Sequence, residues 1–304
     1  MSALISILAI YSFIFIGYTA KKIFKAQIDE KTLILLSIYF LQPILTFWGL
    51  TRSPIDYNLI IAPVVYIVTI TFTLILLIII SKYSFSEQKD KSIFIATALI
   101  GNTGNLGIPL GIAVFGEQSI PYTSIINIAN VFFIYTIGVY LFAKGSYTFK
   151  QSILSMLKIP ILWFALLALA FNYFDFKINT QIDNALQMGA YATIVIQLMI
   201  FGIYLAKINV KGQDYKLTLF TSTTKLIILP IIGIIFSIIF SLDSFTASIL
   251  ILSLSTPLAV NNVNNAALYD CKPYAVTNIV LFSTILFLIL FYFDLQIINS
   301  IFKF

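Results

Sequence analysis

Residues Ile100–Gly116 read Ile-Gly-Asn-Thr-Gly-Asn-Leu-Gly-Ile-Pro-Leu-Gly-Ile-Ala-Val-Phe-Gly. The stretch lies inside a hydrophobic run, yet it holds two asparagines, a proline and five glycines. In lipid an unsatisfied backbone polar group costs several kcal/mol, so a helix breaks at that depth only where protein or a watery cavity serves the freed groups. A second such stretch comes late in the chain: Ser255-Thr256-Pro257-Leu258-Ala259-Val260-Asn261-Asn262-Val263-Asn264-Asn265. Two interrupted hydrophobic segments in corresponding halves point to a transporter's binding site.

Around these breaks the chain is membrane-like. Of 304 residues 60% are hydrophobic and only 10% charged, well away from the balance of a soluble domain. The net charge of +6 is therefore read loop by loop, and nucleic acid is not an expected partner. With no His and one Cys, Cys271, an internal disulfide is excluded and a His/Cys metal site is disfavoured. The start, Ala3 to Ala20, has the look of a signal peptide, but no positive charge precedes it and Lys21, Lys22 and Lys25 follow. It is read as an uncleaved first span.

A spanning helix needs about 20 mostly apolar residues. On that measure ten segments are expected, near 3–20, 32–50, 58–81, 92–116, 119–143, 158–174, 184–206, 217–240, 244–269 and 273–293. With the N-terminus outside, fourteen lysines face inward: 21, 22, 25, 31, 82, 89, 91, 144, 150, 158, 207, 211, 216 and 272. Only Arg52, Lys177 and Lys303 then fall outside, and Lys225 lies within a span. This is the positive-inside pattern. It places both termini on the non-cytoplasmic side of an inner or plasma membrane.

Ten spans divide into two five-span halves, 1–145 and 146–304, and an odd number per half inverts the second. Asn58-Leu59-Ile60-Ile61-Ala62-Pro63-Val64-Val65 parallels Lys225-Leu226-Ile227-Ile228-Leu229-Pro230-Ile231-Ile232. Pro121-Tyr122 with Asn127 parallels Pro273-Tyr274 with Asn278, and the two breaks fall between these matches. Proline removes a backbone donor and clashes with the preceding turn, so Pro109 and Pro257 are each expected to open a half-helix. Its N-terminal end carries free N–H groups and partial positive charge, which suits a carboxylate. Asn102, Asn105, Asn261 and Asn262 can donate or accept beside it. Gly101, Gly104, Gly107 and Gly111 keep the backbone accessible, or serve close helix packing.

The motifs Gly101-Asn-Thr-Gly-Asn-Leu-Gly-Ile-Pro-Leu110 with Phe115-Gly116-Glu117, and Pro257-Leu258-Ala259-Val260-Asn261-Asn262 with Ala266-Ala267-Leu268-Tyr269, resemble the auxin efflux carrier family of membrane transporters. The likeness extends to Leu41-Gln42-Pro43-Ile44-Leu45 and to Lys225–Pro230. It implies an all-α polytopic membrane protein of two inverted five-helix repeats, related in fold to bile-acid/sodium symporters and sodium/proton antiporters. Helices 4 and 9 would cross at their prolines with the substrate beside the crossing. Bacterial relatives are regarded as malate or malonate permeases, and plant relatives export auxin. Two departures stand out: the plant carriers' long central loop is absent, and Ile159-Pro160 stands where an Asn-Pro is associated with helix 6.

The expected function is thus alternating-access transport, chiefly efflux, of small organic carboxylates. Its candidate binding residues are Asn102, Asn105, Gly107, Pro109, Pro257, Asn261, Asn262, Lys225, Asn127 and Gln42. Lys225 is expected near the cytoplasmic end of its span, where a lysine snorkels. Asn127 and Asn130 share a helix face and suit interhelical bonding, as do Gln42 and Gln197. Glu117 and Asp270 read as surface acids. All twelve acidic residues are expected in loops or at span ends, which disfavours an acid relay. No cofactor is expected beyond a sodium ion, with Thr103, Ser255, Thr256 and Asn265 as its candidate ligands. A sodium symporter for another substrate, and a ligand-sensing module that transports nothing, are the alternatives. An enzyme is not expected, since paired acids within a span and Gly-x-Ser-x-Gly are absent. Beyond the substrate and the bilayer, a homodimer is the one further partner considered.

Overall fold

A computed structural model of the chain describes residues 2–52, 54–143, 150–151, 154, 157–206 and 214–303. Lys144, Lys207 and Lys211 of the inward set lie outside them. Helices are named in chain order as α1 Ser2–Phe24, α2 Glu30–Leu36, α3 Gln42–Leu50, α4 Tyr57–Ser84 and α5 Gln88–Leu99. They continue as α6 Ile108–Phe115, α7 Ile120–Phe133, α8 Val139–Ala143, α9 Pro160–Tyr173 and α10 Thr180–Leu205. The last five are α11 Tyr215–Thr223, α12 Leu229–Ile239, α13 Ser244–Ser255, α14 Asn261–Leu268 and α15 Pro273–Phe302. Six helical stretches among the described residues are long and apolar enough to cross a membrane: Lys31–Leu50, Tyr57–Ser84, Glu117–Ala143, Thr180–Leu205, Tyr215–Ile239 and Pro273–Phe302.

Polar residues set where helices begin. Asp29, Asn179, Asp214 and Asp243 cap α2, α10, α11 and α13 by accepting from backbone N–H groups of the first turn, which satisfies donors that have no intrahelical partner. Prolines follow three of the wide turns among the described residues, the turn at Ile134–Gly138 having none. Wide turns at Ser37–Leu41, Thr103–Gly107 and Thr224–Ile228 end two residues before Pro43, Pro109 and Pro230 respectively. A π turn accommodates the missing N–H and the bulky ring without stopping the helix. Pro109 therefore does not open its half-helix as expected. The chain is already helical from Thr103 and the interruption lies upstream, at Ile100–Asn102.

By its contacts the chain forms two compact units. The first contains Met1–Ile60, Gly104–Ile128 and Leu157–Lys207. Here α1 lies along α10 with backbones in close approach: a Cβ on Gly17 would stand 2.1 Å from Met199 O, and one on Gly202 1.9 Å from Ile14 O. The helix α3 packs on α9 and α10, burying Phe47 and Leu50 against Ala165 and Ala168.

The second unit contains Ile61–Thr103, Ala129–Met156 and Ile208–Phe304. Within it α15 packs on α11, α13 and α14, and Ile298 and Phe302 join Ala247 and Ile251 in an apolar cluster. The helix α15 continues to Phe302 rather than ending near 293. It therefore carries Asp294 within it, and one carboxyl oxygen of Asp294 is buried without a hydrogen-bond partner. The expectation that every acid lies in a loop or at a span end fails at this residue, because the apolar stripe of α15 resumes after it at Ile298 and Phe302.

Candidate substrate site

Two helices of the second unit stop where the sequence is interrupted, α5 at Leu99 and α13 at Ser255. Beyond them the chain is extended, and the two extended pieces pair as one antiparallel bridge between Gly101 and Leu258. The Asn102 N–H donates to Pro257 O at 2.8 Å, and the Ala259 N–H donates to Ile100 O at 3.1 Å. Each break thus satisfies backbone groups that the other exposes, which is the requirement for irregular chain at membrane depth. Pro257 fits because it contributes only its carbonyl.

Side chains complete the accounting. Asn130 Nδ2 donates to Gly101 O and to Thr103 Oγ1, both at 2.8 Å. Asn262 Nδ2 donates to Ile100 O at 3.1 Å and to Ala259 O at 3.0 Å. The Leu258 N–H donates to Ser283 Oγ on α15 at 3.3 Å. Thr256 Oγ1 turns back to Ser253 O at 2.7 Å.

Lys225 is the largest departure from expectation here. Its side chain does not snorkel: the residue is fully buried, and Nζ donates to Leu254 O at 2.6 Å, next to the C-terminal end of α13. That end carries partial negative charge, which explains why a lysine is tolerated at this depth. Gly101 makes room for it, since a Cβ there would stand 2.6 Å from Lys225 Nζ and 3.0 Å from Thr256 Oγ1.

After this accounting the breaks retain polar capacity. Asn102 Nδ2, Asn130 Oδ1, Ser255 Oγ, Asn262 Oδ1 and Asn265 Nδ2 are buried without a partner, as are both side-chain polar atoms of Asn278. Asn130 Oδ1 and Asn262 Oδ1 are acceptors, because the Nδ2 of each already donates to backbone carbonyl oxygen, whereas Asn102 Nδ2 and Asn265 Nδ2 are donors and Asn278 offers one of each. A buried amide left unmatched is costly, and such a set is suited to a polar guest.

The structure brings Asn102, Lys225, Pro257, Asn261 and Asn262 together in the second unit, with Thr103, Ser255, Thr256 and Asn265. It places Gln42, Asn105, Gly107, Pro109 and Asn127 in the first, where a Cβ on Gly104 would meet Asn127 Oδ1 at 2.9 Å. Asn130 bonds from α7 to Gly101 of the broken segment and to Thr103 in the wide turn that follows it. Gln197, in the first unit, is buried with both amide atoms unpaired. Sequence reading did not single out Asn278 or Ser283 as site residues. The signal for Asn278 was its repeat position, matching Asn127, whereas a lone Ser283 in a span has none. Glu117 is a half-exposed acid that accepts from Tyr191 and pairs with Arg52, and Asp270 is exposed beside Lys89.

At one end of the second unit Lys272 Nζ lies 2.6 Å from both Glu87 and Asp90. Burial there lowers the lysine's affinity for its proton, but the hydrogen bonds it donates to Asp90 and Glu87 outweigh it and hold the pKa above the usual lysine value. The ion pairs clasp the start of α5 to the start of α15.

Known proteins resemble this chain over most of its length. A family model described as membrane transport protein matches residues 2–293. An uncharacterized transporter of Methanocaldococcus jannaschii is 26% identical over 278 residues, which cover 87% of this chain and 88% of the relative.

Proposed function

Since the chain belongs to the membrane transport protein family, the auxin efflux carriers that its motifs resemble, it is a multi-pass integral membrane protein and a transport protein rather than an enzyme; we propose that it carries small organic carboxylates by alternating access. The observation that carries this reading is the set of buried amide donors without a partner in the second unit, on Asn102, Asn265 and Asn278. A carboxylate offers up to four acceptor sites, and Lys225, when charged, adds a cation at the same place. The N–H groups at the start of α14 add partial positive charge.

Ten spans in two inverted halves, 1–145 and 146–304, complete the proposal. The helix contacts support it: α1 packs on α10 and α9 on α3. Those are the first segment on the seventh and the sixth on the second, a pair that exchange under a relation of each segment to the fifth after it. Lysine distribution supports an outside N-terminus and C-terminus. With an inside-negative membrane the potential contributes about 2.3 kcal/mol per charge per 100 mV toward export of an anion, so uncoupled efflux is the simplest direction.

Sodium coupling is the second reading, favoured by Ser255 Oγ, which is fully buried at the break with no partner. Thermal unfolding of the purified protein with mono- and dicarboxylates, with and without sodium, tests both. A ligand of the folded state raises the melting temperature once its concentration passes Kd. The wild type is expected to respond to a carboxylate, and Asn102→Ala to fold normally and not respond. An equal response in the variant removes the proposed site, and a response that requires sodium selects the symporter.

A further inference from the structure

In the first unit, away from the breaks, the end of α3, the loop between α9 and α10 and the first turn of α10 line a half-open cavity of about 430 Å³. Its lining includes Arg52, Asn172, Asp175, Phe176, Lys177 and Asp183. The volume lies in the range of small-molecule sites. Two cations and two anions share one small chamber.

The walls are fixed in place. Phe171 packs edge-on between Phe47 and Phe176, with centroids 5.2 and 5.4 Å away. Asn172 Nδ2 donates to Leu50 O at 2.6 Å, which ties the end of α9 to α3. Asp175 turns the loop with φ 53°, a left-handed conformation that few non-glycine residues adopt outside a built turn. Its N–H donates to Asn172 O at 3.2 Å, and that of Phe176 donates to Phe171 O at 2.9 Å.

The charges are positioned and only partly spent. Arg52 stacks over Trp48 with its guanidinium carbon 4.5 Å from the ring centre. Its nearest carboxylate oxygens, on Asp183 and Glu117, stand 3.6 and 3.7 Å away, outside hydrogen-bonding distance. The five guanidinium donors are therefore available to a tighter acceptor. Lys177 forms no ion pair among the described residues, and neither does Asp175. In the orientation proposed above, Arg52 and Lys177 are two of the three basic residues on the outer side, where few are retained. Exposed Tyr173, Phe174 and Phe176 flank the chamber like an interfacial aromatic belt.

We propose that this cavity binds a small zwitterion, with its anionic group on Arg52 and Lys177 and its ammonium group on Asp175 and Asp183. The same chemistry is offered by a free amine phosphate and by the ethanolamine headgroup of a bilayer phospholipid. A lone anion would meet both aspartates, and a lone cation both basic residues, so neither suits the chamber.

The test is thermal unfolding of the full-length protein in detergent with phosphoethanolamine, with a short-chain phosphatidylethanolamine, and with phosphate or ethanolamine alone. At saturating ligand the expected rise is about 5 °C with one or both zwitterions, abolished in Lys177→Gln and Asp175→Asn. Those two residues make no ion pair, so their variants are expected to fold even where Arg52→Gln does not. A rise with the lipid only assigns the headgroup as the source, and a rise with both admits the free zwitterion. Equal rises with phosphate or ethanolamine alone, or no rise with any probe, overturn the proposal. Asn102→Ala retains the response, so this result is separable from failure at the crossing.

Discussion

Asn130 and Asn102 are neighbours in the fold with opposite duties. Asn130 supplies two hydrogen bonds to the broken segment, whereas the Asn102 amide nitrogen has no partner. Asn130→Ala leaves Gly101 O unserved at a buried position and is expected to cost about 1–3 kcal/mol, read as a lower melting temperature without ligand. Asn102→Ala keeps its backbone bond to Pro257 and is expected to leave that temperature nearly unchanged. The sequence marked both as polar residues within spans but could not apportion their roles. Spacing places a side chain on a helix face, while the choice between sealing a break and facing a guest depends on where the partner chain's carbonyls fall. Lys225 makes the same point. Its distance along the span suggested snorkelling, and only the fold shows α13 ending above it and Gly101 making room.

The existence of both interrupted helices was legible because proline, glycine and asparagine cluster there against an apolar background. Their limits were not. Pro109 is absorbed by a wide turn, so the helix stops ten residues earlier than the proline, at Leu99, just before the residues that pair with the second break. The contact between α1 and α10 was also hidden, since glycines at 17 and 202 look unremarkable singly. Close backbone approach through small residues is the usual means of helix association in lipid. Alanine at either position would place Cβ near 2 Å from a main-chain carbonyl oxygen, which no rotamer relieves. Gly17→Ala and Gly202→Ala are each expected to lower the yield of monodisperse protein and its melting temperature by several degrees, more than about 1 kcal/mol. Gly116→Ala meets no neighbour but sits at φ 82°, so its smaller cost comes from backbone strain alone.

Across the whole molecule, apolar composition and lysine placement made a polytopic carrier readable before any helix was placed. The two compact units were not, because each collects segments from both halves of the chain and sequence order carries no trace of such interleaving. The proposed orientation is open to direct labelling, since the only cysteine, Cys271, is buried and silent to an impermeant maleimide. Cysteine introduced at Ser2 or Lys303 is expected to label from outside intact cells, and cysteine at Lys82 only after permeabilisation. The reverse pattern would invert the topology. The most direct test of the carrier itself is flux in proteoliposomes, using the carboxylate that stabilises the purified protein and an imposed potential. The account predicts carboxylate movement that follows the potential in the wild type and falls to the protein-free rate in Asn102→Ala. Binding without any flux, or undiminished flux in the variant, would contradict it.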